Sequence, residues 1–264
     1  MRDGSEIRSM FASISRRYDL LNHLLSLNQD KRWRRKAVET SGLREGARVL
    51  DVCTGTADLA LAYSKGPRAA ALVVGTDFCP EMLDLGRRKL AREPDGGRVA
   101  LMVADTIELP FADEVFDVVS VAFGIRNVSD LKAGMSEMAR VIKQHGRVVI
   151  LEFSLPENRL LRGIYMAYFT RLLPVIGRII SRARNDAYTY LPGSVLEFPS
   201  GDEMCSVMGG CGLSDVSARK LTFGIVTLYV GTKLLPADSR STRPRDDRSM
   251  NREMSGIRTG RLHG

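Results

Sequence analysis

Five short apolar runs, separated by stretches of helical spacing, constrain this chain more than anything else in it. They are residues 49–53 (VLDVC), 72–77 (LVVGTD), 99–103 (VALMV), 115–121 (VFDVVSV) and 147–153 (RVVILEF). Runs of this length with so few polar positions suit strands buried on both faces. That arrangement is the property of a parallel sheet covered by helices on either side. Residues 80–90 and 131–142 carry the intervening helical pattern. The expectation is therefore an α/β fold with a doubly wound, mostly parallel sheet. Residues 5–40 read as helical, with Ile7, Met10, Phe11, Ile14, Tyr18, Leu21, Leu24 and Leu25 recurring at three- and four-residue steps. Residues 201–210 are also predicted helical, and 216–220 with 225–233 are predicted to pair as antiparallel edge strands. In this reading residues 1–235 form one domain, with 1–45 a helical cap and 155–195 a helical insertion.

Charge divides into a tail and a body. The chain carries a net +8, of which residues 236–264 contribute seven Arg against four acids. That segment has no apolar pattern and reads as a disordered basic tail. A second cluster, residues 30–36 (DKRWRRK), suits nucleic acid, anionic lipid or simply a solvated helix face. Residues 160–180 are strongly apolar but are divided by Arg162, Arg171 and Arg178, so no span approaches the ~20 residues that cross a bilayer. The segment reads as a lid, a homodimer face or a membrane-surface element. No apolar signal-peptide core is present near the start, so a cytoplasmic protein is expected. Cys53, Cys79, Cys205 and Cys211 lack paired spacing and read as free thiols, with no metal site.

Polar residues fall at the ends of three strands. The first runs into CTGTAD (53–58), a small-residue turn leading to a helix, where a ligand can approach the backbone. A lone turn of this kind is equally a tight βα connection. The second strand ends in Asp77, where α/β nucleotide sites hold ribose hydroxyls. The third ends in Val103-Ala104-Asp105-Thr106, placing another acid where an adenine amino group would lie. Together they point to an adenosine-type cofactor whose other end is a cationic or neutral amino acid near Asp51, rather than a pyrophosphate.

These same residues carry a resemblance. DVCTGTADLA (51–60), GTDFCPEML (75–83) and ADTIELPFADEVFDVVSVAFGIRNV (104–128) resemble the successive motifs of Rossmann-like class I S-adenosylmethionine methyltransferases. Three further segments are similar to the ubiquinone/menaquinone biosynthesis C-methyltransferase family: YDLLNHLLSLNQDKRWRR (18–35), RVIKQHGRVVILEFSLP (140–156) and YTYLPGSVLEFP (188–199). The likeness covers about residues 11–233. It implies S-adenosylmethionine as cofactor, held by Thr56, Asp77, Asp105 and Thr106, and a polyprenylated quinol as the acceptor methylated on a ring carbon. It also implies reach to a membrane surface without spanning it, at the inner face. Departures from the family pattern are Cys53-Thr54 for Ala-Gly, Ala122 for Ser, Gln144-His145 for Pro-Gly, and Asn28 for Gly.

Carbon methylation needs a ring made nucleophilic by loss of a hydroxyl proton, and a phenol begins near pKa ~10. Arg126 and Asn127, after the fourth strand, are the expected catalytic pair: a permanent cation for the developing phenolate and an amide to orient it. An Arg–carboxylate pair holding a loop is the competing role for Arg126. Tyr18, Asp19 and Asn22 either close over the quinol or anchor the amino-terminal helix. His23 is the one histidine placed for proton transfer, or it packs. Two rival functions remain open: methylation of another small molecule or nucleic acid, and a non-catalytic scaffold for a quinone-pathway complex. The residues after strand four are AFGIRN rather than a Pro-Pro-aromatic turn, and basic–aromatic alternation is lacking, so nucleic acid is not the expected partner.

Overall fold

The structure, a computed structural model, describes Arg8, Ala12, Ser26 and residues 28–66, 68–172 and 193–234. Among these, seven strands form one sheet: β1 (Arg48–Val52), β2 (Leu72–Asp77), β3 (Val99–Val103), β4 (Phe116–Ala122), β5 (Ile142–Phe153), β6 (Ser214–Leu221) and β7 (Val226–Thr232). Their order is β3-β2-β1-β4-β5-β7-β6, parallel from β3 through β5, with β7 antiparallel to both its neighbours. The helices are α1 (Gln29–Thr40), α2 (Asp58–Tyr63), α3 (Pro80–Leu90), α4 (Leu131–Val141), α5 (Arg159–Ala167) and α6 (Asp202–Gly210).

The period-two alternation of the strands divides the core into two layers. Val49, Val118 and Val149 face α1 and α2, where Trp33, Ala37, Leu59 and Tyr63 cover them. Their neighbours Leu50, Val119 and Ile150 face α4 and α6, against Met135, Met138, Met204 and Met208. Helix starts follow local chemistry. Pro80 occupies the first turn of α3, where its missing N–H costs nothing, and Arg87, Arg88 and Lys89 lie at the negative end of the dipole. Asp130 caps α4 by accepting the Ala133 amide at 2.9 Å.

Two expectations are corrected. β7 is not an edge strand: it is inserted between β5 and β6, leaving β6 at the edge. Its six consecutive buried residues, Val226–Gly231, match that interior position, whereas β6 is mostly exposed. Strand β5 also begins earlier than the apolar run, at Ile142, and absorbs Gln144-His145 as an irregularity where the pairing with β4 shifts between Phe116 and Val118. His145 there has φ 61°, and Asn28, just before α1, has φ 59°. Asn and His are among the residues that best tolerate the left-handed region, so both departures noted in the sequence fit their backbone.

Candidate active site

The strand order reverses between β1 and β4, the switch point at which open α/β sheets bind ligands. A cleft opens there, over the carboxyl ends of β1, β2, β3 and β4, with about 910 Å³ of empty space including its solvent mouth. Its floor is the turn after β1. Cys53, Gly55 and Ala57 all have positive φ (50°, 56° and 68°), two of them without the freedom of glycine. Such strain persists only where neighbours over-determine it. Here the Thr54 amide donates to Thr76 O at 2.9 Å, and the Gly55 amide donates to Asp77 Oδ2 at 2.8 Å.

Asp77 is buried, and its other oxygen accepts the Cys79 amide at 2.9 Å. Burial raises its pKa against those two hydrogen bonds. An ionised carboxylate offers about four acceptor positions. Two are taken by backbone amides, one on each oxygen, leaving one on each for a ligand with adjacent hydroxyls. Asp51, at the floor, is buried and accepts the Thr54 hydroxyl at 2.6 Å and the Ser120 hydroxyl at 3.4 Å. Desolvation pushes it up to about 7, opposed by Thr54 and by the charge of Arg34. Thr56 is buried beside them, its hydroxyl accepting from Lys89 Nζ at 3.0 Å, and the same ammonium binds Asp58 Oδ1 at 2.6 Å. Asp105 stands exposed on the rim, where its Oδ1 accepts the Ile107 amide at 3.1 Å, and Thr106 is buried with its hydroxyl 3.4 Å from Cys53 Sγ. Burial and Asp77 push the Cys53 thiol far up, so it stays protonated.

Thr56, Asp77, Asp105, Thr106 and Asn127 therefore line one cleft. Arg126 does not line it. On the one-turn helix Ile125–Asn127, its Nη1 donates to Phe123 O at 2.5 Å and to Glu152 Oε1 at 2.7 Å. Both partners are nearly sealed from solvent, at 6% and 1% side-chain exposure. The guanidinium lies 5.6 Å from the Phe153 ring centre. Tyr18, Asp19, Asn22 and His23 lie outside the described residues.

Three features escaped the sequence reading. Arg34, placed in the basic cluster, lines the cleft and is buried, paired with Asp30 one turn earlier and 3.5 Å from Asp58. The Asp30…Arg34 spacing of four was the available signal. Lys31, Arg32 and Arg35 of the same cluster face solvent. Phe123, with φ 60°, forms an aromatic wall with Phe153 (ring centres 4.5 Å) and Trp33 (6.0 Å). Gly124 is needed behind it, because a Cβ would fall 2.4 Å from the Cys53 Cβ. Glu152, the third, looked like an ordinary last residue of a strand. The four cysteines are free, and no metal-binding group of His, Cys, Asp or Glu occurs among the described residues. No helix among them is long and apolar enough to cross a membrane.

The sheet order and the acid-bearing strand ends define a Rossmann-like methyltransferase. Among solved structures the fold matches a SAM-dependent methyltransferase from Aquifex aeolicus (TM-score 0.55, 18% identity, 76% of this chain and 89% of that one). It also matches phosphoethanolamine N-methyltransferase 2 from Haemonchus contortus (TM-score 0.57, 14% identity, 76% and 52%). Residues 2–233 match the model of the ubiE/COQ5 methyltransferase family, and the chain belongs to that family. Similar relatives include a ubiquinone/menaquinone biosynthesis C-methyltransferase of Geobacter sulfurreducens, 50% identical over 87% of this chain and 89% of the relative. A demethylmenaquinone methyltransferase of Bacteroides fragilis is 39% identical over 88% and 94%.

Proposed function

We propose that this protein uses S-adenosylmethionine to methylate a ring carbon of a polyprenylated quinol precursor, a demethylmenaquinol or the corresponding benzoquinol. The observation that carries the reading is Asp77, pinned at the switch point by two backbone amides with one acceptor position left on each oxygen. That geometry suits the two ribose hydroxyls. Asp105 would meet the adenine amino group, Thr56 and Thr106 would pack along the nucleoside, and Asp51 would face the amino group of the methionine end. The cofactor, when bound, supplies an electrophilic methyl group on a sulfonium. The protein's part is to make the acceptor nucleophilic and keep water out. Phe123, backed by Phe153 and Trp33, gives the cleft an apolar wall against which a flat ring would stack, and a dry site favours a reaction that neutralises opposite charges. Asn127, in the cleft, orients the reacting hydroxyl, and the Arg126 charge favours the phenolate from behind.

In this reading the protein is cytoplasmic and visits the inner face of the membrane. Leu160, Leu161 and Ile164 of α5, with Leu196 and Phe223, are exposed apolar residues, and Arg159 and Arg162 accompany them. Apolar burial plus attraction to anionic headgroups would bring the site to a lipid-embedded substrate. The test of the function is transfer of labelled methyl from S-adenosylmethionine to a reduced short-chain demethylmenaquinol or demethoxy-benzoquinol by purified protein. Cofactor binding without transfer to either acceptor would reject the reading and favour another small molecule, nucleic acid or a scaffold.

A further inference from the structure

Arg34 is a buried cation that lines the cleft with most of its donors unspent. A guanidinium carries five N–H donors. Among the described residues Arg34 makes one hydrogen bond, from Nη1 to Asp30 Oδ2. Its Nη2 stands 3.5 Å from Asp58 Oδ2, well beyond the about 2.7–2.9 Å of a charge-assisted bond. Asp58 is held more closely by Lys89 Nζ, at 2.6 Å. The Arg34 side chain is only 10% exposed. Burying a cation is costly unless its donors are met, so the edge formed by Nε and Nη2 calls for an anion.

The surroundings define which anion fits. Asp51, Asp58 and Asp77 line the same cleft, so a multiply charged group such as a phosphate would meet like charge there. Asp51 is close enough for the Arg34 charge to lower its pKa against the effect of burial. A buried acid and a buried cation therefore stand together at the turn after β1. The first suits an ammonium and the second a carboxylate, the two charges that an α-amino acid carries on one carbon. Gly55, between them in the lining, lets such a group approach the backbone.

We propose that Arg34 binds the carboxylate at the methionine end of S-adenosylmethionine, beside the ammonium group at Asp51. This deepens the cofactor reading above and rests on it. Asp30 holds Nη1 one helical turn away, which leaves Nε and Nη2 as a planar fork matching the two oxygens of a carboxylate. Arg34 thereby makes the site selective for the intact amino-acid end rather than for any adenosyl sulfonium.

The test is calorimetric titration, without acceptor, of S-adenosylmethionine and of its decarboxylated form, which keeps the adenosine, the sulfonium and the ammonium. Wild type should bind the intact cofactor at least tenfold more tightly. Arg34→Gln should bind the two within threefold of each other, and its affinity for the decarboxylated form should stay within threefold of wild type, which shows that the fold stands. The double variant Asp30→Asn/Arg34→Gln leaves no orphaned buried carboxylate and should show the same loss of selectivity. No preference in the wild type, or a tenfold preference surviving in either variant, would overturn the proposal. A variant that keeps the preference but loses kcat at saturating cofactor would assign Arg34 to the acceptor instead, and would overturn it too. Failure of the quinol reading is distinguishable, because selective binding in the wild type would then persist with no methyl reaching a quinol.

Discussion

If the cofactor's amino group faces Asp51 as proposed, its binding should depend on pH. Its folded pKa is near 7, because burial outweighs the hydrogen bonds from Thr54 and Ser120 and the charge of Arg34. A ligand whose ammonium group approaches this carboxyl binds its ionised form. About 3% of Asp51 is ionised at pH 5.5 and about half at pH 7.0, so affinity should rise roughly 15-fold between them, about 1.6 kcal/mol. An α-amino group stays mostly protonated over that interval, since its pKa is about 7.7–8.0. The assay is calorimetric titration with S-adenosylhomocysteine at both pH values, in two buffers of different ionisation enthalpy. Nearly one proton should be released per binding event at pH 5.5 and about half at pH 7.0. Asp77 is raised too and titrates with the same sign, so the decisive quantity is the difference between wild type and Asp51→Asn. An affinity independent of pH, or a slope unchanged in Asp51→Asn, would refute the placement of the amino group at Asp51.

Four further outcomes follow from the same geometry. A carboxyl whose folded pKa is raised costs stability as it ionises, so the penalty from Asp51 grows as pH rises from about 4 to about 7. Unfolding by denaturant should accordingly show Asp51→Asn gaining stability relative to wild type across that window, by at most about 4 kcal/mol. Gly124→Ala places a Cβ 2.4 Å from that of Cys53; it should cost about 1–3 kcal/mol and lower Tm by several degrees, and an unchanged melting curve would refute the close approach. Arg126→Ala leaves Glu152 buried without its cation and should cost about 3–5 kcal/mol, much of it restored by adding Glu152→Gln; additive losses in that double-mutant cycle would contradict a coupled pair. Sedimentation with anionic vesicles should fall when Leu160, Ile164 and Phe223 are changed to Ser, and equal binding by this variant would reject the docking face.

The parts of the fold that could be read beforehand are those where local pattern and burial agree. Residues 72–77, 80–90 and 99–103 appear as β2, α3 and β3 with the bounds their patterns imply, because buried parallel strands and a Pro-started helix are written locally. The position of β7 was not readable. Antiparallel pairing with β6 follows from short-range pattern, but insertion beside β5 is decided by which neighbour buries both faces of 226–231. The same division runs through the site. Asp77 announces itself by ending β2, and Asp105 by following β3 two residues on. Arg34 hides in a run of cations, distinguished from Lys31, Arg32 and Arg35 only by which side of α1 meets the sheet. Glu152 has no local signal, since its ion-pair partner Arg126 lies 26 residues away in sequence.

The central claim is methylation at carbon, and the most direct measurement is the position of the new methyl group. Product formed from carbon-13 methyl S-adenosylmethionine and a reduced demethylmenaquinol analogue should show, by NMR, a single labelled methyl on the quinol ring carbon. Label on a hydroxyl oxygen, or none on the acceptor while the cofactor binds, would contradict it.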